Sequence, residues 1–285
     1  MLNPVLRREI QTSFRNRKVF AAIIIYVAVL MVTAGCMFWS EIYNSYNFNF
    51  DPSNINTLYV LMAVMQLFLI IIIVPAITGG SINGEKERQT FDLLLVSRMK
   101  PCSIVAGKLL AGICLMSVMI VASAPVFAVT IQFGGASAKE VILLMVYFLA
   151  DTVGIGAISI FFSSLVKKTS LSAVIVYAIY AFMTVGTRVI FILYSNYMQR
   201  TMNVQPSQYV YCIAMALNPF ASVLAVICSQ IGSEAVFSIN IGGYASAQYV
   251  NIWSMHIGIN IIITVLAVLG AAKLIDPLRR KTKRH

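Results

Sequence analysis

The chain has 285 residues, 59% of them apolar and 11% charged, with a formal net charge of +11. Soluble globular chains run nearer half apolar and a quarter charged, so the composition excludes a soluble protein and indicates an integral membrane protein whose length leaves room for a single bundle, residues 1–285. The positive charge fits the bias of Lys and Arg toward cytoplasmic loops.

Residues 1–18 are basic, with Arg7, Arg8, Arg15, Arg17 and Lys18. Leu2, Val5, Leu6, Ile10 and Phe14 recur at helical spacing, which predicts an N-terminal interfacial amphipathic helix. A plain basic tail leading into the first span is the alternative. Hydropathy then predicts six transmembrane helices at 19–39, 57–78, 103–131, 139–166, 170–194 and 252–273. The fold class is all-α. Residues 40–56 are polar and aromatic, 79–102 form a charged segment, Lys167-Lys168 makes a tight turn, and 195–251 form a long loop.

With both termini cytoplasmic, 18 of the 21 Lys and Arg residues fall inside and only Lys139, Arg188 and Arg200 fall in the outer half. That asymmetry sets the expected orientation, a multi-pass plasma-membrane protein. It also argues against nucleic acid, because the basic residues flank spans instead of gathering on a motif. Within the long exterior loop, residues 209–232 are apolar but broken at Asn218-Pro219, which predicts a re-entrant helical hairpin before the sixth span. Asn218 suits an N-cap and Pro219 the first helical position after it. A seventh span is the competing reading, and it would move the basic tail outside.

The five cysteines form no C-x-x-C pair and are odd in number, so neither a metal site nor a disulfide framework is expected. Thr33-Ala34-Gly35-Cys36 is a poor lipoprotein cleavage box, and further spans follow it.

The segment GGSINGEKERQTFDLLLVS (79–97) is the densest charge between the chain ends. From Glu85 it reads as a helix, with Glu85, Arg88 and Asp92 on one face, Phe91, Leu94, Leu95 and Met99 in an apolar row, and Arg88 spaced to pair with Asp92. Gly79 to Gly84 has the spacing of a phosphate loop, but Glu85 stands where Gly-Lys-[Ser/Thr] must continue, and no buried strand precedes it. The chain is therefore not expected to bind ATP itself. A helix on the lipid surface would favour Lys and Arg on its polar face; the acids Glu85, Glu87 and Asp92 suit a protein partner better.

Glu85-Lys86-Glu87-Arg88-Gln89-Thr90-Phe91-Asp92-Leu93-Leu94-Leu95, followed after eleven residues by Gly107-Lys108-Leu109-Leu110, resembles the type-2 permeases of ATP-binding-cassette exporters. Six spans, an amphipathic N-terminal helix and a broken apolar hairpin before the last span resemble them too. The sequence departs from the family pattern at Gln89, where Gly is common, and at Arg98, where Pro is common. The resemblance implies a cytoplasmic coupling helix between the second and third spans, with Glu85, Glu87, Arg88, Thr90, Phe91, Asp92 and Leu94 docking on a separate ATPase subunit. It also implies two ATPase copies carrying ATP and Mg, a second permease (identical or related), no cofactor in this chain, and no enzymatic activity of its own.

Asp151 is the one clear intramembrane acid, about 18 Å from the outer end of its helix at 1.5 Å per residue. Gln66 and Asn260 lie at comparable depth, so the three define a possible polar belt along a translocation path. An inter-helix hydrogen bond with Asp151 protonated is the plainer reading. Gly154-x-Gly156 reads as close helix packing, and His256 as a lone histidine near the exterior surface. An ion-coupled secondary transporter working without an ATPase is the alternative function, supported by Asp151 and the broken hairpin but lacking an internal repeat. A membrane enzyme lacks a nucleophile–base pair or a metal cluster.

Overall fold

The computed structural model describes residues 4–44, 52–90, 100–204, 207–231 and 249–275. Regular structure among them is entirely helical. The helices are α1 Pro4–Phe14, α2 Arg17–Asn44, α3 Pro52–Thr78, α4 Asn83–Glu87, α5 Pro101–Ala122, α6 Ala124–Gln132, α7 Ala138–Leu165, α8 Thr169–Ala181, α9 Thr187–Tyr197, α10 Gln208–Ala216, α11 Pro219–Ile231 and α12 Tyr249–Ile275.

Six helical segments are long and apolar enough to cross a membrane: Val19–Trp39, Asn56–Glu87, Pro101–Gln132, Ala138–Leu165, Thr169–Met202 and Ile252–Ile275. They agree with hydropathy in number and order, because in hydrocarbon a helix satisfies every backbone group within its own segment. Two spans carry irregularities that hydropathy does not register. The third is interrupted at Ser123, where Pro125 near the start of α6 removes an N–H and crowds the carbonyl one turn back. The fifth reaches Met202 instead of residue 194 and contains π-helical turns at Phe182–Gly186 and Met198–Met202.

The fourth span, α7, opens with a capping box: Ser137 N–H donates to Glu140 at 2.6 Å, and Glu140 N–H donates to the Ser137 hydroxyl at 3.4 Å. It packs against α12 along a seam of small residues. Ala157, Ala267, Ala271 and Ala272 are buried together. A side chain at Gly154 would strike the Asn260 amide, and one at Gly270 would strike the Phe161 ring. Small residues let two backbones approach where lipid supplies no hydrophobic drive. The main core joins α2, α3, α5, α6 and α7 through Tyr26, Tyr59, Met62, Leu67, Met116, Phe127 and Phe148. Phe20, Ile24 and Ile25 on α2, and Val189, Ile190 and Leu193 on α9, face outward.

The apolar pair Tyr209–Ala216 and Pro219–Ile231 is bent by 109°. At 1.5 Å per residue, α11 spans about 20 Å and α10 less, so neither arm alone covers a bilayer core of about 30 Å. Both arms reach the same end of the bundle. Tyr211 of α10 packs on Phe191 and Ile252. Gln230 of α11 donates to the Glu140 carbonyl at 3.2 Å and accepts from the Tyr59 hydroxyl at 3.0 Å. The tip between the arms lies mid-bundle: Pro219 lines the same pocket as Asp151. The outer ends of the two arms thus lie at one end of the bundle, with the bend between them at mid-bundle.

At the opposite end, α1, the segment after α3, the start of α5 and the end of α12 converge. Ile82, Val105 and Ile275 share one buried cluster, and Glu9 of α1 bonds Lys108 of α5.

Candidate functional site

Two polar assemblies stand out, one at each level of the bundle. The first is built around Lys108 of the Gly-Lys pair. Its ammonium donates to Glu85 at 2.8 Å, to Glu9 at 3.0 Å and to the Ser81 carbonyl at 2.9 Å. Its side chain is 2% exposed, whereas those of Glu85 and Glu9 are 21% and 36% exposed. The cation is thus desolvated and fully used, with three acceptors for three N–H donors, while the Glu9 side chain stays partly exposed and Glu85 Oε2 is buried without a partner among the described residues. One buried charge fastens α1, the charged segment and the third span together.

The charged segment is also fastened to the turn between the fourth and fifth spans. Ser163 Oγ accepts from the backbone N–H groups of Ile82 and Asn83 at 3.1 and 3.2 Å. The Asn83 amide donates to the Lys168 carbonyl at 3.2 Å, and Lys86 donates to the Ser164 carbonyl. Glu87 accepts from Thr169 N–H at 2.8 Å, so its carboxylate caps the start of α8, where the helix dipole favours negative charge.

The helix expected from Glu85 onward differs in extent. It begins at Asn83 and ends at Glu87. Gln89 N–H bonds the Lys86 carbonyl at 3.2 Å and Thr90 N–H bonds the Glu85 carbonyl at 3.0 Å, the pairing of a Schellman stop. Gln89 itself has φ of +58°. A left-handed turn ends the helix there, and residues 91–99, Asp92 among them, lie outside the described residues. This left-handed position is the one at which the resembling family commonly has Gly.

Of the residues expected to dock a partner, Glu85 and Glu87 are engaged within the chain, Arg88 and Thr90 are exposed, and Phe91, Asp92 and Leu94 lie outside the described residues.

The second assembly lies mid-bundle. Asp151 Oδ1 accepts from the Asn260 amide at 3.0 Å and lies 2.8 Å from His256 Nε2. His256 Nδ1 lies 2.7 Å from the Ala216 carbonyl at the end of α10. All three side-chain-bearing residues are buried. Asn260 can reach Asp151 because Gly154, one turn further along α7, has no Cβ to block it. Asn218 joins the hairpin to the fifth span. Its Oδ1 accepts from the N–H groups of Phe220 and Ala221 at 3.0 and 3.2 Å, capping α11. Its amide nitrogen donates to the Thr184 carbonyl at 2.7 Å and to Thr187 Oγ1 at 3.1 Å. Thr184 sits in the π-helical turn, where the widened ladder leaves carbonyls for such partners.

Asp151 and Asn260 are therefore brought together, while Gln66 meets Ser123 instead, at 3.0 Å. His256 is the residue that sequence reasoning placed at the surface. It sits one turn before Asn260 on the same helix face, and that i, i+4 spacing was the available signal. Among the described residues, no group of three His, Cys, Asp or Glu could hold a metal ion.

No curated protein matches the chain. A family model described as ABC-2 family transporter protein matches residues 3–275. That match takes in every described helix from the Lys108 junction to the sixth span, and the chain belongs to the ABC-2 family of membrane transporter proteins.

Proposed function

We propose that the chain is the permease subunit of an ATP-driven exporter, with ATP and Mg bound by a separate ATPase subunit present in two copies and a second permease completing the path. The carrying observation is the buried Lys108, which ties the charged segment to α1 and the third span. Bonds from Asn83, Lys86 and Glu87 add the fourth and fifth spans. A partner that moves this segment moves four spans with it, which is what coupling to an external ATPase requires. By the charge bias, the Lys108 end faces the cytoplasm of a plasma-membrane protein, and the bent α10–α11 pair re-enters the bilayer from outside. Arg88 and Thr90, with Phe91, Asp92 and Leu94, form the docking surface; Glu85 and Glu87 hold it in place from behind. Of the polar belt, Asp151 and Asn260, joined by His256, form the polar centre of the path.

The test is ATP hydrolysis by the reconstituted complex. Lys108→Gln keeps the ATPase subunit bound but lowers permease-dependent hydrolysis about tenfold, a loss of about 1.4 kcal/mol in coupling. Unchanged hydrolysis in that variant overturns the transmission role of the junction.

A further inference from the structure

We propose that the corner between α1 and α2 holds an anionic phospholipid, with Arg7, Arg8, Arg15 and Arg17 on its phosphate and the outer face of α2 along its acyl chains, and that Glu9 passes this hold to the Lys108 junction. Charge is the first observation. Glu9 is the sole acid of α1, and its carboxylate is spent on Lys108 at 3.0 Å. Of the neighbouring acids, Glu85 bonds Lys108 at 2.8 Å and Glu87 accepts from Thr169 N–H at the start of α8. The four arginines are exposed, and none has an ion pair among the described residues. Arg8, Gln11 and Thr12 share one exposed face of α1, with Arg15 in the turn that follows, while Leu6, Ile10 and Phe14 form the half-buried face. A basic face whose acid is turned inward attracts anions, and guanidinium groups match phosphate oxygens in a two-pronged geometry.

Continuity with the first span says which anion. Asn16 N–H bonds the Ser13 carbonyl at 3.1 Å and Val19 N–H bonds the Asn16 carbonyl at 3.0 Å, so α1 passes into α2 through one tight turn. The span begins at Val19, which sets Arg15 and Arg17 at the edge of the hydrocarbon. Counting from Arg17, the positions i+3, i+4, i+7, i+11 and i+14 are Phe20, Ala21, Ile24, Ala28 and Met31, all exposed. One face of α2 therefore runs from a guanidinium into an apolar strip about 20 Å deep, at 1.5 Å per residue. A phospholipid has the same order, phosphate first and acyl chains below. A soluble acidic protein would suit the arginines but not the strip. A second copy of this chain packed on the same face would suit the strip but bring like charges against the arginines. By the charge bias this end faces the cytoplasm, where the leaflet is anionic.

The hold is passed inward because Glu9 follows Arg8 directly in α1 and bonds Lys108. Headgroups that fix the arginines fix Glu9, and through Lys108 they steady Glu85 and the Ser81 carbonyl in the charged segment. Lipid binding needs no ATPase, so this proposal and the permease reading fail separately.

The test uses the purified full chain in nanodiscs of phosphatidylcholine alone or of an equal mixture with phosphatidylglycerol. Native mass spectrometry of the chain released from the mixed discs counts the lipids retained. The expected result is retention of phosphatidylglycerol over phosphatidylcholine by about threefold or more. That preference is lost in the combined variant Arg7→Gln/Arg8→Gln/Arg15→Gln/Arg17→Gln. It is kept in Lys100→Gln/Lys167→Gln, which removes two exposed cations elsewhere at the same end. Should the combined variant misfold, Arg15→Gln/Arg17→Gln carries the same prediction. Amide exchange at Gln89 and Thr90 reads the junction: slower in mixed discs than in phosphatidylcholine for the unaltered chain, and equal in the two for Glu9→Ala, which still retains phosphatidylglycerol. Equal retention of the two lipids by the unaltered chain, an undiminished preference in the arginine variants, or a preference lost equally in Lys100→Gln/Lys167→Gln would overturn the site. Exchange at Gln89 and Thr90 that is indifferent to the lipid in the unaltered chain, or that responds equally in Glu9→Ala, would overturn its link to the junction.

Discussion

Asn260 occupies the space that a side chain on Gly154 would need, and its amide reaches past that glycine to Asp151 at 3.0 Å. The small residue on the fourth span thus sets the position of a polar residue on the sixth. Gly154→Ala should displace the amide, unmake its bond to the buried carboxyl group and destabilise the chain by about 1–3 kcal/mol. Gly156→Ala meets the flexible end of Leu109 at 3.0 Å, with Val74 and Thr78 at ordinary contact distance, and should be milder. Thermal unfolding of the two variants in detergent separates them; an equal shift contradicts the packing account.

Gln89 holds φ of +58° at the stop of α4. An L-residue there is strained by about 1 kcal/mol relative to Gly. Gln89→Gly should raise stability by up to that amount, and Gln89→Val should lower it, because a β-branched side chain tolerates the left-handed region least. Hydrogen exchange at Thr90, whose N–H closes the turn onto Glu85, reports the effect locally: slower in Gln89→Gly and faster in Gln89→Val.

Lys108→Met leaves Glu85 and the Ser81 carbonyl without their common donor. Removing one partner of a fully buried ion pair is worth about 3–5 kcal/mol. Glu9 is partly exposed here and the Glu85 side chain is not fully buried, so a smaller loss of about 1–3 kcal/mol is expected. Glu85→Gln, which keeps an acceptor for Lys108, should lose less than half as much. The ranking is read from unfolding midpoints, and a larger loss for Glu85→Gln contradicts it.

Asn218 acts in two directions, capping α11 with its oxygen and bonding Thr184 with its nitrogen. Asn218→Asp keeps the cap and loses the donor; Asn218→Ala loses both. The alanine variant should be less stable by about 1–2 kcal/mol, with the aspartate variant also destabilised, since its carboxylate would face the Thr184 carbonyl. Amide exchange in α11 should rise in Asn218→Ala and stay low in Asn218→Asp.

Much of the bundle was legible because crossing a membrane demands long apolar helices, and such runs show in hydropathy. The break at Asn218-Pro219 was legible for the same reason, since Pro cannot continue the ladder of α10. What the sequence hid was pairing. His256 meets Asp151 across 105 positions, and Gln66 meets Ser123 at the point where the helix of the third span is interrupted ahead of Pro125, a break that apolar counting ignores. The π-helical turn at Phe182–Gly186 has no composition of its own; it is stabilised by Asn218 from another element. Glu85 and Glu87 read as docking charges because their partners, Lys108 and Thr169, come close only through the packing of three spans. Phe91, Asp92 and Leu94 lie outside the described residues and stand as the sequence left them.

The central claim is that this permease works with a separate ATPase docked on residues 88–94, which Glu85 and Glu87 hold from behind. The most direct measurement is to tag the chain, express it with its neighbouring genes, solubilise it gently and identify what copurifies. The account predicts an ATP-binding subunit that is retained by the unaltered chain and lost from the Phe91→Ala/Asp92→Arg chain. A chain that purifies alone and transports without ATP, or a double variant that keeps the subunit, would contradict it.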